Sequence, residues 1–223
     1  MTGENLKDKQ IILKSNKNRD GKIRGGVFVY LLVNDGGNES VSECDLSGFP
    51  KERADEILNS KNEKVRRQKV AVWKLLLFAA KEIYGSDADE IRFEKTPEGK
   101  WICDKFCFSL SHTFGASAVV IAEKPCGVDV EYAPNFFEKC AYKPFIASFL
   151  KQIGEKESLN AEDALKLWTQ KESVYKRAGS GVFSPKKIDV QNENVLTEKS
   201  GDYVLSVSTT DKENVKIYVL KEI

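Results

Sequence analysis

The sequence predicts an α+β fold with mainly antiparallel sheets. Apolar runs that end at Gly, Asn or Asp residues predict strands, and segments whose apolar residues recur at helical spacing lie between them. Strands and helices do not alternate strictly, as they would in a doubly wound parallel sheet. The 223 residues, 41% of them hydrophobic and 31% charged, suffice for one large domain or for two small fused ones.

The first part of the chain predicts a hairpin followed by two helices. Residues 26–33 are apolar throughout and predict a strand, which we expect to pair with residues 11–13 around a turn at Asp20-Gly21. A proline opens the first helix and a glycine stops the second. These helices are expected at residues 50–59 and 62–84.

The rest of the chain predicts further strands and one more long helix. Alternating or continuous apolar residues predict strands at residues 91–94, 106–111, 116–122, 126–131, 188–190, 203–208 and 215–220. Residues 97–100 have the composition of a turn. Asn160 is a good N-cap for a helix over residues 161–178, and Gly179 ends it.

The overall charge and the cysteines exclude several classes of protein. A net charge of +1 gives no general attraction for nucleic acid or for a membrane surface, so neither is expected as a partner. No apolar run approaches the roughly 20 residues of a membrane span, and the first residues lack an apolar signal region. Five cysteines without a Cys-x-x-Cys pair argue against a disulfide scaffold or structural zinc site, and favour the cytoplasm.

Three acids and one lysine are the candidate functional residues. Asp129 and Glu131 lie two apart on a predicted strand, so they project from one face. Glu172 and Lys176 lie four apart on a predicted helix, in line with Trp168. Oxygen ligands on rigid elements suit Mg²⁺, and Mn²⁺ also accepts them, which points to phosphate chemistry.

Each of these assignments has a simpler alternative. A Glu and a Lys four apart on a helix are usually a solvated pair that contributes less than about 0.5 kcal/mol. Trp168 is most simply a core residue, and Asp129 and Glu131 would be unremarkable on an exposed edge strand. The apolar strand that precedes them indicates a buried sheet instead, where two unpaired carboxylates would be costly.

Two segments together resemble the signature of the 4′-phosphopantetheinyl transferases. Residues 127–131 (Gly-Val-Asp-Val-Glu) are followed about forty positions later by residues 168–176 (Trp-Thr-Gln-Lys-Glu-Ser-Val-Tyr-Lys). Residues 108–113 (Phe-Ser-Leu-Ser-His-Thr) are similar to the family's segment before the Asp motif, and they contain the only histidine of the chain, His112. A weaker likeness is the Gly-Lys pair at residues 99–100, and the resemblance covers roughly residues 90 to 185.

The resemblance implies an activity and an architecture. The family transfers the phosphopantetheine arm of coenzyme A to a serine of an apo acyl or peptidyl carrier protein and releases adenosine 3′,5′-bisphosphate. The chain length resembles the larger, monomeric (Sfp-like) type, which is a pseudo-two-fold pair of similar α+β halves with the active site between them. This implies an N-terminal half at residues 1–110, on the side of the coenzyme A 3′-phosphate, and a C-terminal half at 111–223 with the metal and catalytic motifs.

The resemblance also implies roles for individual residues. Asp129, Glu131 and Glu172 match the metal-binding acids, and Glu172 is the leading candidate for the base that accepts the proton of the carrier serine. Lys176 would neutralise the leaving phosphate. The residues expected to hold the phosphates of coenzyme A are Lys100, Ser111 and His112, with Arg53 and Arg67 near the 3′-phosphate.

Some positions depart from the family pattern or leave alternatives open. Thr113 stands where the family often has Ser, and Trp101 stands where it has Pro. Whether Glu155 or Glu157 adds to the site is open, and so are the carrier's pathway and the acyl group tolerated on coenzyme A. The lysines in the stretch expected to face the carrier are Lys139, Lys143 and Lys151.

Two other functions compete with the transferase. A metal-dependent nuclease or phosphodiesterase also uses clustered acids and a lysine, but it commonly carries a Glu-x-Lys pair on a strand, whereas Lys171 and Glu172 are adjacent on a helix. A noncatalytic module could bind coenzyme A or a carrier protein. The complete set of acids and lysine argues against it, because binding alone has no chemical need for all of them.

Overall fold

The structure is a computed structural model, and it describes residues 26–33, 41, 46–136, 146–151, 160–179, 181–210 and 215–223. Some predictions concern residues outside these ranges, namely the hairpin partner at 11–13, its turn at Asp20-Gly21, Lys139, Lys143, Glu155 and Glu157. Among the described helices, none has the length and apolar character needed to cross a membrane.

The described elements follow the predicted order closely. In chain order they are β1 (Val27–Val33), α1 (Lys51–Leu58), α2 (Glu63–Tyr84), β2 (Phe93–Lys95), β3 (Trp101–Cys103), β4 (Cys107–Thr113), β5 (Ala116–Ala122), β6 (Gly127–Tyr132), α3 (Ala161–Ala178), β7 (Val195–Ser200), β8 (Tyr203–Ser208) and β9 (Val215–Leu220). Helix α3 begins as predicted, because the Asn160 side chain accepts a hydrogen bond from the backbone N–H of Asp163.

The strands form three sheets that are mainly antiparallel, which confirms the predicted α+β class. The first sheet has the order β4-β5-β1-β9, in which only β1 and β9 pair in parallel. Strands β2 and β3 form a separate hairpin. The third sheet has the order β6-β8-β7, with both pairs antiparallel.

The same topology occurs twice in the described chain. A strand, a helix and a hairpin follow one another as β1, α2, β4 and β5, and again as β6, α3, β7 and β8. In each unit the second hairpin strand lies in the middle, which gives the sheet orders β4-β5-β1 and β7-β8-β6. The division of the chain at residues 110 and 111 stays a prediction, and strand β4 runs across that position.

The first sheet is covered on both faces, and the second unit packs on one of them. Helix α2 covers one face, where Trp73 and Ile121 belong to the same buried cluster. The other face meets the third sheet, and Val120 and Val128 share a second buried cluster. Helix α3 lies on the far side of the third sheet and is anchored by Trp168, which is 3% exposed and confirms its expected core position.

Side chains of strand β4 join the edge of the first sheet to the edge of the third sheet. Strands β4 and β6 are edge strands and do not pair through their backbones. Instead, three hydroxyl groups of β4 accept hydrogen bonds from three backbone N–H groups of β6. These hydroxyl ladder bonds are Val128 N to Ser109 Oγ (3.2 Å), Val130 N to Ser111 Oγ (3.3 Å) and Tyr132 N to Thr113 Oγ1 (3.3 Å).

The strand predicted at residues 188–190 is wrong. This segment is irregular, and the strand lies at Val195–Ser200 instead. The Asp189 carboxylate accepts a hydrogen bond from Gln191 N at 2.9 Å, which favours a turn over an extended strand. Strand β7 was not predicted because its side chains are mostly polar and half-buried or exposed.

The hydroxyl ladder leads to a stability prediction. Ser109→Ala removes the acceptor of Val128 N–H, and Ser109 is 6% exposed, so the buried donor is left unpaired. We expect a loss of about 1–3 kcal/mol in the free energy of unfolding, measured by urea denaturation. The exposed Ser86→Ala variant is the control and should change stability by less than about 0.5 kcal/mol. Equal effects in the two variants would show that the hydroxyl ladder does not stabilise the fold.

Candidate active site

Gly127 determines how closely β6 approaches α3. A Cβ atom at this position would lie 2.0 Å from the carbonyl oxygen of Ser173 and 2.5 Å from the backbone N of Arg177. Both atoms belong to the helix backbone and cannot turn away as a flexible side chain could. Glycine at the start of the Gly-Val-Asp-Val-Glu segment therefore allows β6 to bring its acids against α3.

Asp129 is the most deeply buried acid of the site. It is 2% exposed, and its Oδ1 accepts hydrogen bonds from Ser111 Oγ at 2.8 Å and from Lys176 Nζ at 2.7 Å. Its Oδ2 is buried and has no hydrogen-bond partner among the described residues. A buried carboxylate oxygen without a partner is costly, and the neighbouring Glu172 carboxyl group can share a hydrogen bond with Asp129 when it is protonated.

Ser111 orients both Asp129 and Lys176. Its hydroxyl donates to Asp129 and accepts hydrogen bonds from Val130 N at 3.3 Å and from Lys176 Nζ at 2.9 Å. These three bonds use the single donor and both acceptor positions of a hydroxyl group. In this arrangement Ser111 fixes the site residues around it, and its predicted contact with a phosphate of coenzyme A stays a prediction.

Lys176 carries the positive charge of the site. Its Nζ lies 2.7 Å from Asp129 Oδ1 and 3.9 Å from Glu172 Oε2. Burial lowers the pKa of this amine, but the carboxylates of Asp129 and Glu172 more than offset the effect and raise the pKa overall. The side chain is therefore an ammonium ion at neutral pH, as its predicted role requires.

Glu172 completes the acid group from the helix side. Burial, and then the negative charge of Asp129, raise the pKa of Glu172 to about 8. Glu131 adds to the same repulsion, and its Oε2 accepts a hydrogen bond from Thr113 Oγ1 at 3.0 Å. At neutral pH Glu172 is therefore largely protonated, and its carboxyl group lies among the charges of Asp129, Glu131 and Lys176.

His112 follows Ser111 on β4, so its side chain projects from the opposite face of the strand. Burial, followed by the charges of Lys176, Arg53 and Lys69, lowers the pKa of His112 to about 4. The imidazole is therefore neutral at physiological pH. Positive charge that disfavours a proton on His112, such as that of Arg53 and Lys69, would favour an anion there.

The structure places Arg53 in a neighbouring cluster of its own. Arg53 is 5% exposed and donates to Glu56 Oε2 and to the carbonyl oxygen of Lys69, each at 3.2 Å. Its guanidinium lies 5.0 Å from the ring centre of Trp73. Glu56 also accepts a hydrogen bond from Trp101 Nε1 at 3.3 Å. The predicted contacts of Arg53, and of the half-buried Arg67 on α2, with the 3′-phosphate stay predictions.

Lys100 lies at the opposite end of α3 from its N-cap. Its Nζ donates a hydrogen bond to the carbonyl oxygen of Lys176 at 2.9 Å. Beside it is a cleft of about 260 Å³, whose lining includes Lys100, Trp101, Leu110, Tyr175 and Gly179. The predicted phosphate contact of Lys100 stays a prediction.

The structure brings together most of the predicted site. Asp129, Glu131, Glu172, Lys176 and Ser111 form one connected group through hydrogen bonds, ion pairs and electrostatic interaction. Sequence reasoning missed Ser109 and Thr113 as structural partners, although Ser, Ser and Thr at alternate positions of one strand are a visible signal. It also missed Glu56 and Lys69, because no local sequence pattern connects these residues with the site.

The donor atoms fit a hard divalent cation. Within the described residues, no three His, Cys, Asp or Glu side chains are grouped closely enough to hold a metal ion by themselves. Mg²⁺, however, usually takes only one or two carboxylates and completes its shell with water and phosphate. The open Oδ2 of Asp129 and the adjacent Glu172 supply such a pair.

Comparison with known proteins agrees with this geometry. Residues 125–217 match the family model of the 4′-phosphopantetheinyl transferase superfamily. The match supports that superfamily. It covers less than half of the chain, and it includes β6 and α3 and therefore Asp129, Glu131, Glu172 and Lys176. A comparison with curated proteins found no match.

Gly127 provides a test of the packing between β6 and α3. Gly127→Ala should lower the free energy of unfolding by about 3 kcal/mol or more, because the added methyl group meets helix backbone. Gly201→Ala is the control, since Gly201 has φ +58° and no atom within 4 Å of the added Cβ. It should cost only about 1–2 kcal/mol, the strain of a left-handed residue. A smaller loss for Gly127→Ala, measured by urea denaturation, would contradict the tight approach.

His112 makes stability depend on pH in a defined direction. The unfolded chain binds a proton near pH 6.5, whereas the folded protein resists protonation of His112 until about pH 4. Between these values the unfolded state binds more protons, so stability falls as the pH falls. From pH 7 to pH 5, wild type should lose about 1–2 kcal/mol more than His112→Gln, at most about 1.4 kcal/mol per pH unit. Parallel losses in urea titrations of both proteins would contradict this environment.

Proposed function

We propose that the protein transfers the 4′-phosphopantetheine arm from coenzyme A to a serine of an apo acyl or peptidyl carrier protein, with Mg²⁺ as cofactor. The products are the holo carrier protein and adenosine 3′,5′-bisphosphate. The observation that carries the proposal is the buried Asp129, whose Oδ2 is open and which lies beside Glu172 and Lys176. The segment that holds these residues matches the phosphopantetheinyl transferase superfamily.

Mg²⁺ would be held by Asp129 and Glu172, with Glu131 as the third predicted ligand. When bound, the cation supplies charge stabilisation to the pyrophosphate oxygens of coenzyme A. The site has the chemical requirements for this: oxygen donors and an unpartnered carboxylate oxygen. Mn²⁺ offers the same chemistry.

Glu172 is the proposed base. The hydroxyl oxygen of the carrier serine forms a bond to the phosphorus on the pantetheine side of the pyrophosphate, and the bond from that phosphorus to the bridging oxygen breaks. The serine proton passes to Glu172. With its pKa raised to about 8, Glu172 is largely protonated at neutral pH, and a bound cation would favour the carboxylate form that acts as the base. In that form it accepts a proton more readily than an ordinary carboxylate.

Lys176 is the proposed partner of the leaving group. The bridging oxygen departs with adenosine 3′,5′-bisphosphate and carries an added negative charge. The Lys176 ammonium is held by Asp129 and Ser111, so it is oriented before the reaction begins. The positive charges of Arg53 and Lys69, which act on His112, favour binding of further phosphate charge there.

We also infer that the protein acts as a monomer in the cytoplasm. Two units of the same topology in one chain meet at the contact between β4 and β6, where the candidate site lies, as the larger type of this family would require. The described cysteines Cys103, Cys107 and Cys126 are free thiols, which is consistent with a reducing compartment.

A noncatalytic module that binds coenzyme A or a carrier is the second candidate. Burial of Asp129 with one oxygen unpaired, beside the half-buried Glu172, costs stability that binding alone would not require. This cost is typical of a catalytic centre. The observation therefore favours the transferase over the module.

The transferase is tested by mass spectrometry of apo carrier proteins incubated with the protein, coenzyme A and Mg²⁺. We expect the carrier to gain the mass of one phosphopantetheine group, and the gain to be lost with EDTA. Glu172→Gln should slow the transfer at least about a hundredfold, because a general base contributes that much or more. Glu198→Gln, on the exposed face of β7, is the control and should retain the rate.

The other outcomes separate the candidates. Coenzyme A binding by wild type without transfer to fatty-acid, polyketide or peptide-synthetase carriers would favour the module. Transfer by Glu172→Gln at the wild-type rate would show that Glu172 is not the base, but it would not contradict the transferase activity. Cleavage of a general phosphodiester substrate without carrier labelling would favour the phosphodiesterase.

A further inference from the structure

Lys176 is held at two of its atoms by residues that precede β6 in the chain. Its Nζ donates a hydrogen bond to Ser111 Oγ on β4 at 2.9 Å. Its carbonyl oxygen accepts a hydrogen bond from Lys100 Nζ at 2.9 Å, and Lys100 follows the turn between β2 and β3. The side chain and the backbone of one residue are therefore held from two separate elements.

The backbone around Lys100 is fixed by its turn. Thr96 N donates to the carbonyl oxygen of Lys100 at 2.8 Å, and Lys100 N donates to Thr96 Oγ1 at 3.2 Å. Gly99 has φ +88°, a conformation that glycine adopts without strain. The side chain of Lys100 thus starts from a defined position and reaches the end of α3.

The end of α3 is shaped to let the Lys100 side chain pass. Gly179 is the C-cap of α3 and has a left-handed conformation with φ +75°. A Cβ atom there would lie 2.8 Å from Lys100 Nζ and 2.9 Å from Lys100 Cδ. Glycine at this position therefore serves both the helix end and the close approach of the lysine.

We propose that Lys100 is a positioning residue, whose ammonium ion caps the C-terminal end of α3 and thereby fixes the place of Lys176. The last carbonyl groups of a helix lack intrahelical donors and carry partial negative charge, so a cation that donates to one of them stabilises the helix end. The resemblance implied instead that Lys100 binds a phosphate of coenzyme A. The catalytic consequence of our proposal rests on the proposed function, but the structural part does not.

The structural part is tested by amide hydrogen exchange of the protein alone. In Lys100→Met, the amides of residues 177–179 should exchange roughly threefold to tenfold faster than in wild type. The reason is that a cation at the helix end stabilises the closed, hydrogen-bonded form against local opening by about this factor. Lys100→Arg keeps the cation and should stay close to wild type. Lys105→Met, which changes an exposed lysine after β3, is the control and should leave these amides unchanged. Unchanged exchange in Lys100→Met would overturn the proposal.

The catalytic part is tested by steady-state transfer to an apo carrier protein. A displaced Lys176 weakens stabilisation of the leaving phosphate, so Lys100→Met should lower kcat about tenfold or more, while KM for coenzyme A changes less than about twofold. Lys100→Arg should recover most of the rate. A raised KM for coenzyme A with unchanged kcat would show a phosphate ligand and overturn the proposal. If wild type transfers nothing, the proposed function fails, and the exchange measurement still decides the role of Lys100.

Discussion

The hydroxyl ladder between β4 and β6 is the interaction on which the site depends. Two edge strands from different sheets meet there, and their backbones do not pair. The hydroxyls of Ser109, Ser111 and Thr113 accept the N–H groups of β6 that would otherwise lack partners. The same contact fixes β6 against the first unit, so the acids of β6 take their position from a strand of the other sheet.

The contact also links structure with electrostatics. Two of the three hydroxyls donate onward, from Ser111 to Asp129 and from Thr113 to Glu131. Each therefore satisfies a backbone donor of β6 and stabilises the negative charge of the adjacent side chain. Burial, and then the negative charge of Asp129, raises the pKa of Glu172, which comes from α3. The acids of the site are consequently unequal: Asp129 is held tightly, and Glu172 is the one suited to exchange a proton.

Sequence patterns predicted the local features well, because local chemistry determines them. The helices α2 and α3, the strands β4, β5 and β6, and the spacing of Asp129 with Glu172 and Lys176 all follow from periodicity, caps and a motif. The contacts of Arg53 with Glu56 and Trp73, and of Lys100 with α3, did not follow. They join residues up to 76 positions apart and depend on how whole elements pack. Strand β7 was not predicted because its polar side chains show no alternation of apolar and polar residues. A strand was predicted at Ile188 and Val190 because both are apolar, but Asp189 between them forms a turn.

The parallel strand β9 makes the two repeated units interdependent. It extends the sheet of the first unit beyond β1, although it follows every element of the second unit along the chain. During synthesis, β1 therefore cannot pair with β9 until the second unit has emerged from the ribosome. The first unit therefore cannot complete its four-stranded sheet by itself, so the repeat in topology does not divide the protein into two separable pieces.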